Sequence, residues 1–374
     1  MIHFEQVSKI FQGKPAVDDL TLHIAEGEFT VLIGTSGSGK STTLKMINRL
    51  IEHDRGKILF AGEEIQSFKP QDLRRRMGYA IQSIGLFPHW TVEENIATVP
   101  QLLKWPRARI RDRVTELLEL LHLEPDLFRR RYPHQLSGGQ QQRIGVIRAL
   151  AADPAVLLMD EPFGAVDPIN RETIQNEFLD MQRQLKKTVM LVSHDIDEAL
   201  KLGDRIAVFR QGKIVQNASA DELLARPAND FVASFVGQDR TLKRLLLVQA
   251  GDVADQQETV TVRRETPLVE AFGLMDDIDA RSVTVVDADG KPLGYVKRRE
   301  ARGAPGVCAD SLHRFRVTAR AEENLRVVLS KLYEHNTSWM PIVDEDGRYS
   351  GEISQDYIAD YLSSGRTRRV LTPQ

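Results

Sequence analysis

The sequence predicts an α/β protein with a large N-terminal layer on a largely parallel sheet and a smaller α/β module built from an internal repeat. Three observations carry this. A glycine-rich turn stands between a strand-like run and a helix-like run. Short apolar strands alternate with amphipathic helices as far as about residue 237. Two similar strand–turn–strand units then recur in the last third.

Phe29 to Ile33 is β-branched and apolar, as a buried strand requires, and Lys40 to Leu50 reads as the helix after the turn. Leucines, Ile110 and Val114 recur at helical spacing between Trp105 and Leu123, which predicts an amphipathic helix. Val156 to Met159, Thr188 to Ser193 and Arg205 to Phe209 are further short strands of buried type. Asp239 to Ala250 reads as a connecting helix and Gly251 to Glu258 as a polar linker. Next come Ser282–Val286, closed by Asp287 to Gly290, and Met340–Val343, closed by Asp344 to Gly347. Each is a strand, an Asp-x-Asp-Gly turn, and a second strand bearing Gly294 or Gly351. Helical runs, Leu268 to Asp276 and Leu325 to Tyr333, precede the two units. The expected domains are 1–237, a linker 238–257, the repeat 258–362 and a loose basic tail 363–374.

The composition bounds the function. In 374 residues, 41% are hydrophobic and 28% charged, the profile of a globular chain. A formal charge of -3 gives no reason to expect a nucleic-acid partner. Cys308 is the one cysteine, so no intramolecular disulfide forms and a reducing compartment is expected. The first residues carry Glu5 within an otherwise short apolar run, so no export signal is expected, and no apolar run reaches membrane-spanning length.

Gly34, Thr35, Ser36, Gly37, Ser38, Gly39, Lys40 and Ser41, with Thr42 behind them, form a phosphate loop. The glycines let backbone N–H groups face phosphate, Lys40 supplies charge and Ser41 offers a hydroxyl to Mg²⁺. Ser137, Gly138, Gly139 and Gln140 place a capping serine at a helix start, a second point where an anion could be held. The strand ending at Met159 delivers two carboxylates: Asp160 suits Mg²⁺, and Glu161 is placed to polarise a water.

These elements, in this order, resemble the ABC ATPase family over residues 1–237. The resemblance implies an ABC ATPase domain on a P-loop (RecA-like) core with antiparallel β and helical subdomains. It further implies roles for Gln82 as the glutamine beside the γ-phosphate and Mg²⁺, Asp167 in the loop after the catalytic carboxylate, and His194 as the switch histidine. Phe11 occupies the place of the aromatic that stacks on adenine. Many relatives carry serine where Gly164 stands. The family expectation is a head-to-tail homodimer, with Ser137 and Gly139 of one copy closing over ATP at Lys40 of the other. The segment from Leu86 through Phe87 and Pro88 to Trp90 would receive a helix of an integral membrane permease.

The repeat resembles a tandem pair of CBS domains. Where many nucleotide-binding pairs have Ser or Thr and then Asp after the second-strand glycine, this chain has Lys297 and Glu300 in the first unit. The second has Ser354 and Tyr357, with Asp356 one position early. Nucleotide binding, a ligand-free dimerisation role and sensing of ionic strength all stay open. An ABC ATPase followed by CBS domains resembles the quaternary-amine uptake subunits. That implies import of glycine betaine, choline or carnitine, an extracytoplasmic substrate-binding protein, and a peripheral place at the cytoplasmic face of the bacterial cell membrane. Import of another small solute such as an amino acid, or a soluble ABC ATPase outside transport, are the alternatives. Lys297, Arg298, Arg299 and Arg302, then Arg314, Arg316 and Arg320, and finally Arg366, Arg368 and Arg369, offer a basic surface for anionic lipid.

Overall fold

Alternation of apolar and polar residues at the start of the chain builds a sheet with one wet face, whereas the fully apolar runs further on build a sheet covered on both faces. In the computed structural model, residues 1–81, 85–164, 166, 168–254 and 260–364 are described. They fall into two compact units, Met1–Val236 and the remainder from Gly237.

The strands of the first unit are β1 (Ile2–Phe11), β2 (Lys14–Ile24), β3 (Phe29–Gly34), β4 (Arg55–Phe60), β5 (Glu63–Glu64), β6 (Met77–Ala80), β7 (Val156–Asp160), β8 (Thr188–Val192), β9 (Arg205–Arg210) and β10 (Lys213–Ala218). The first sheet is antiparallel, in the order β2-β1-β4-β5. Val17, Leu20, Leu22 and Ile24 of β2 bury one face of it. The second runs β10-β9-β3-β8-β7-β6 and is parallel except for β10. Every residue of β3, β7 and β8 is buried, as strands covered on both sides must be.

Between β6 and β7 lies a helical segment: Val92–Leu102, Arg107–Leu120 and Gly138–Leu150. The second of these buries Ile110, Val114, Leu117 and Leu118, the predicted apolar stripe. The helix expected from Lys40 to Leu50 stops at Ile47, because Arg49 turns to φ 53°.

The second unit contains β11 (Thr261–Arg263), β12 (Ser282–Val286), β13 (Pro292–Lys297), β14 (His313–Arg314), β15 (Ala319–Arg320), β16 (Trp339–Val343) and β17 (Tyr349–Ser354). Its sheets are β11-β12-β13-β14 and β15-β16-β17. Both Asp-x-Asp-Gly turns form as predicted. Asp287 Oδ1 accepts from the Lys291 amide and Asp344 Oδ1 from the Arg348 amide, each at 2.8 Å. Gly290 and Gly347 take φ 82° and 79°, which the tight turn demands.

The stretch read as connecting helix and linker differs from expectation. The helix Arg240–Leu247 ends where Val248 turns extended, and a short helix, Ala250–Val253, follows. Leu245, Val248, Ala250 and Val253 are buried in one core with Leu325, Val328, Met340 and Ile353 of the second repeat. The Ala250 and Gly251 amides donate to the carbonyls of Glu323 and Ala321 at 2.8 and 2.9 Å. These residues are therefore structural parts of the second repeat, although they precede the first in the chain. Of the expected tail, Ser363 and Ser364 continue the helix Gln355–Ser364, and 365–374 lie outside the described residues.

Candidate functional site

Parallel pairing of β3 with β8, and of β8 with β7, places their carboxyl ends side by side. The phosphate loop leaves β3, Asp160 and Glu161 leave β7, and Ser193 and His194 leave β8, so three segments distant in sequence meet at one sheet edge. Backbone hydrogen bonds fix the meeting: Ser193 N donates to the Leu32 carbonyl at 3.0 Å, and Glu161 N to the Val192 carbonyl at 2.9 Å.

Two glycines of the loop are dictated by close approach. A Cβ on Gly34 would stand 2.2 Å from the Phe209 carbonyl oxygen, and one on Gly39 would stand 2.3 Å from that of Ala16. Their φ values, 146° and 105°, also disfavour a side chain. Thr35, Ser36 and Gly37 between them are exposed, whereas Ser38, Gly39 and Lys40 are buried and Ser41 and Thr42 half-buried.

Lys40 Nζ donates to the carbonyls of Gly34 and Thr35 at 2.8 and 3.0 Å, inside the curl of the loop. Burial pulls its ammonium below the ordinary lysine range, opposed by the nearby Glu161 and Asp160 carboxylates. Ser41 Oγ donates to Asp160 Oδ1 at 2.8 Å. This pairs a hydroxyl and a carboxylate, the hard-oxygen donors that suit a divalent cation. Glu161 adopts φ 48°, a conformation uncommon outside glycine, and its Oε1 stands 3.5 Å from His194 Nδ1. His194 itself is exposed, with 65% of its side chain accessible.

Ser137 N-caps the Gly138–Leu150 helix in a reciprocal box: its Oγ accepts from Gln140 N at 3.3 Å, and Gln140 Oε1 accepts from Ser137 N at 3.0 Å. Ser137 and Gly138 are exposed and Gly139 and Gln140 half-buried. Phe11 ends β1 with 45% of its surface exposed, so it is not a core residue, and Lys9 Nζ stands 5.2 Å from its ring centroid. Gln82 and Asp167 lie outside the described residues.

The structure adds residues that motif reading passed over. Lys45 reaches within 3.8 Å of Asp160 from one turn further along the helix. Tyr79, on β6 beside β7, has its phenol pushed up from the ordinary 10 to about 12, by burial first and then by Asp160. The fold therefore keeps the phenol protonated more firmly than the unfolded chain does. That contribution is complete below pH 10 and is lost as pH rises towards 12. Thermal unfolding of wild type and Tyr79→Phe between pH 9.5 and 12 checks this. Wild type should lose the greater part of the difference in melting temperature across that window.

Asn95 is the other omission. It is fully buried at the start of the Val92–Leu102 helix. Its Oδ1 accepts from Phe87 N at 2.8 Å, and its Nδ2 donates to the carbonyls of Phe87, Trp90 and Thr91 at 3.2, 3.1 and 3.0 Å. One amide thus ties together Phe87, Trp90 and Thr91 of this loop, where the Phe87 and Trp90 rings meet at a tilt of 38° with centroids 4.5 Å apart and stay 44% and 40% exposed. Asn95→Ala should cost about 1–3 kcal/mol, as urea denaturation will report, since the Phe87 amide and the Trp90 carbonyl lose this partner while the Phe87 and Thr91 carbonyls keep the Trp90 and Asn95 amides.

A phosphate loop, a carboxylate pair after the neighbouring strand and a histidine after the third define a P-loop ATPase. Comparison with known proteins sharpens the class. The ABC transporter family model matches residues 17–164 and the CBS domain model matches residues 250–305 and 313–364. The osmoprotectant import ATP-binding protein OsmV of Salmonella typhimurium is 69% identical over 99% of this chain and 98% of its own. The glycine betaine/carnitine/choline transport ATP-binding protein OpuCA of Bacillus subtilis is 44% identical over 97% of this chain and 96% of its own. Among solved structures, the dimeric MJ0796, a bacterial ABC transporter cassette, superposes with a TM-score of 0.53. It is 33% identical over 59% of this chain and 99% of its own. The chain belongs to the ABC transporter family and carries a pair of CBS domains. It is an ATPase, as the fold class and the ordered motifs predicted.

Proposed function

We propose that this chain powers uptake of osmoprotectant quaternary amines, hydrolysing ATP as a homodimer docked on a membrane permease. One observation carries the chemistry: the phosphate loop, Asp160 with Glu161, and His194 converge on one sheet edge, with Ser41 and Asp160 already joined at 2.8 Å. The substrate class rests on the full-length likeness to relatives named for osmoprotectants, glycine betaine, choline and carnitine. The amino-acid alternative has no such support.

In this reading the loop amides and Lys40 hold the β- and γ-phosphates, and Phe11 offers an exposed ring to adenine. Ser41, Asp160 and Gln82 would hold Mg²⁺, which neutralises phosphate charge when bound. Glu161 orients and polarises the attacking water, and His194, within 3.5 Å of it, contacts the γ-phosphate. Ser137, Gly138, Gly139 and Gln140, with Asp167, act from the second copy, which fits the exposure of Ser137 and Gly138. Among the described residues no helix is long and apolar enough to cross a membrane; in this reading the permease holds the chain at the cytoplasmic face. A separate extracytoplasmic binding protein would deliver the solute.

The exposed Phe87–Trp90 pair, clamped from beneath by Asn95, is the surface we assign to the permease. Phe87→Ser with Trp90→Ser should abolish uptake in proteoliposomes while the isolated subunit still binds ATP. Undiminished uptake would remove the assignment. The whole reading is tested by reconstituting the chain with a co-purifying permease and measuring labelled glycine betaine uptake against a labelled amino acid. Uptake of only the amino acid would overturn the substrate class.

The CBS unit carries an open cleft of about 1420 Å³ between its repeats, lined in part by Tyr295, Lys297, Trp339 and Ser354. Its role is regulatory in this reading. Much of the charge behind the lipid proposal is matched internally: Arg298 pairs with Asp276 and Asp279, and Lys297 and Arg299 each stand within 3.8 Å of Glu300. Lipid contact therefore rests on the exposed Arg302, Arg314 and Arg316. It predicts binding to anionic vesicles that fades as salt rises.

A further inference from the structure

His194 is exposed, yet both residues that flank it are held from behind. Arg171 and Gln175 stand four apart on the Pro168–Leu185 helix and so share a face. Gln175 Nε2 donates to Glu198 Oε1 at 3.1 Å, and the Ser193 hydroxyl donates to the same carboxylate. Ser193 Oγ in turn accepts from Asp195 N at 3.0 Å. Asp195 caps the Ile196–Leu202 helix by accepting from the Asp197 and Glu198 amides, and Arg171 lies 3.7 Å from its second oxygen. Arg171 also donates to the Val166 carbonyl at 3.0 Å, in the segment that leaves Glu161.

Glu198, Gln175 and Ser193 are 6%, 6% and 1% exposed. A carboxylate so buried costs desolvation, and burial accordingly pushes Glu198 above the ordinary range, Ser193 and Gln175 opposing. An apolar side chain would fill the same space without that penalty. What Glu198 supplies instead is direction: it fixes the rotamer of Ser193 and so the exit of the chain from β8.

We propose that Glu198 is a positioning residue for hydrolysis. Through Ser193 and Gln175 it holds His194 in register with Glu161, while Arg171 ties the same loop to the segment after Glu161. This rests on the reading that His194 serves the hydrolytic step, and the test separates the two. Steady-state ATPase is measured on the full-length chain in a double-mutant cycle. Glu198→Ala should lower kcat about 10-fold with KM for ATP unchanged, and the same substitution made in His194→Ala should change kcat less than about 2-fold. Glu198→Gln keeps an acceptor oxygen and should recover most of the loss. Should Glu198→Ala not fold, Gln175→Ala carries the same cycle with an expected loss of about 3-fold. An equal loss in the His194→Ala background, or a KM rise that accounts for the defect, overturns the proposal. A wild-type rate for His194→Ala alone overturns the reading of His194, and the clamp with it.

Discussion

Glu161→Gln is expected to retain ATP binding and to lose turnover by about 10²–10³-fold, accumulating an ATP-loaded dimer. The substitution preserves size and one oxygen but removes the charge that polarises water. Asp160 is engaged by Ser41 at 2.8 Å and by Lys45 at 3.8 Å, on the cation side of the site. His194 stands within 3.5 Å of Glu161 and would be left facing a neutral amide. The backbone at Glu161, with φ 48°, shows that this position is held in an uncommon conformation by its surroundings. Size-exclusion chromatography with ATP, beside a phosphate-release assay, measures both halves of the prediction. Near-normal turnover would show that water is activated by another group.

Lys40→Ala should fail earlier, at nucleotide binding. Charged hydrogen bonds are worth about 1.5–3 kcal/mol each, so losing the ammonium from two phosphates should weaken ATP affinity by at least about 10-fold. The side chain also ties the loop to itself through the Gly34 and Thr35 carbonyls, so its removal loosens the cradle as well. Titration with a fluorescent ATP analogue distinguishes this from the Glu161→Gln defect. A variant that binds normally but does not turn over would place Lys40 in the chemical step alone.

Much of this was legible before any coordinates, because local rules carry it. The glycine spacing from Gly34 to Gly39, the lysine after it, and the capping box Ser137–Gln140 are each written within a few residues, and each forms from its own neighbours. The same holds for the paired Asp-x-Asp-Gly turns, whose side chains bond their own backbone two to four residues on. Buried strands announced themselves by composition. Residues such as Asn95, Arg171, Gln175 and Glu198 gave no comparable signal. They are ordinary polar residues on helices, and their purpose lies in irregular loops and a neighbouring helix, 5 to 23 residues away, whose conformation no periodicity announces.

The sequence by itself therefore determined the class of protein, its motor chemistry and the presence of a repeated second module, since these follow from short-range spacing and from strand and helix periodicity. Only the tertiary structure decided where the pieces meet. Parallel pairing of β3, β8 and β7 brought Lys40, Glu161 and His194 to one edge across intervals that no local pattern spans. It also sent Leu245, Val248, Ala250 and Val253 past the first repeat and into the core of the second, where their apolar surface found cover. A linker composition was misread there for a physical reason: the segment buries only a few side chains, and its backbone is satisfied by Ala321 and Glu323, some seventy residues away in the chain.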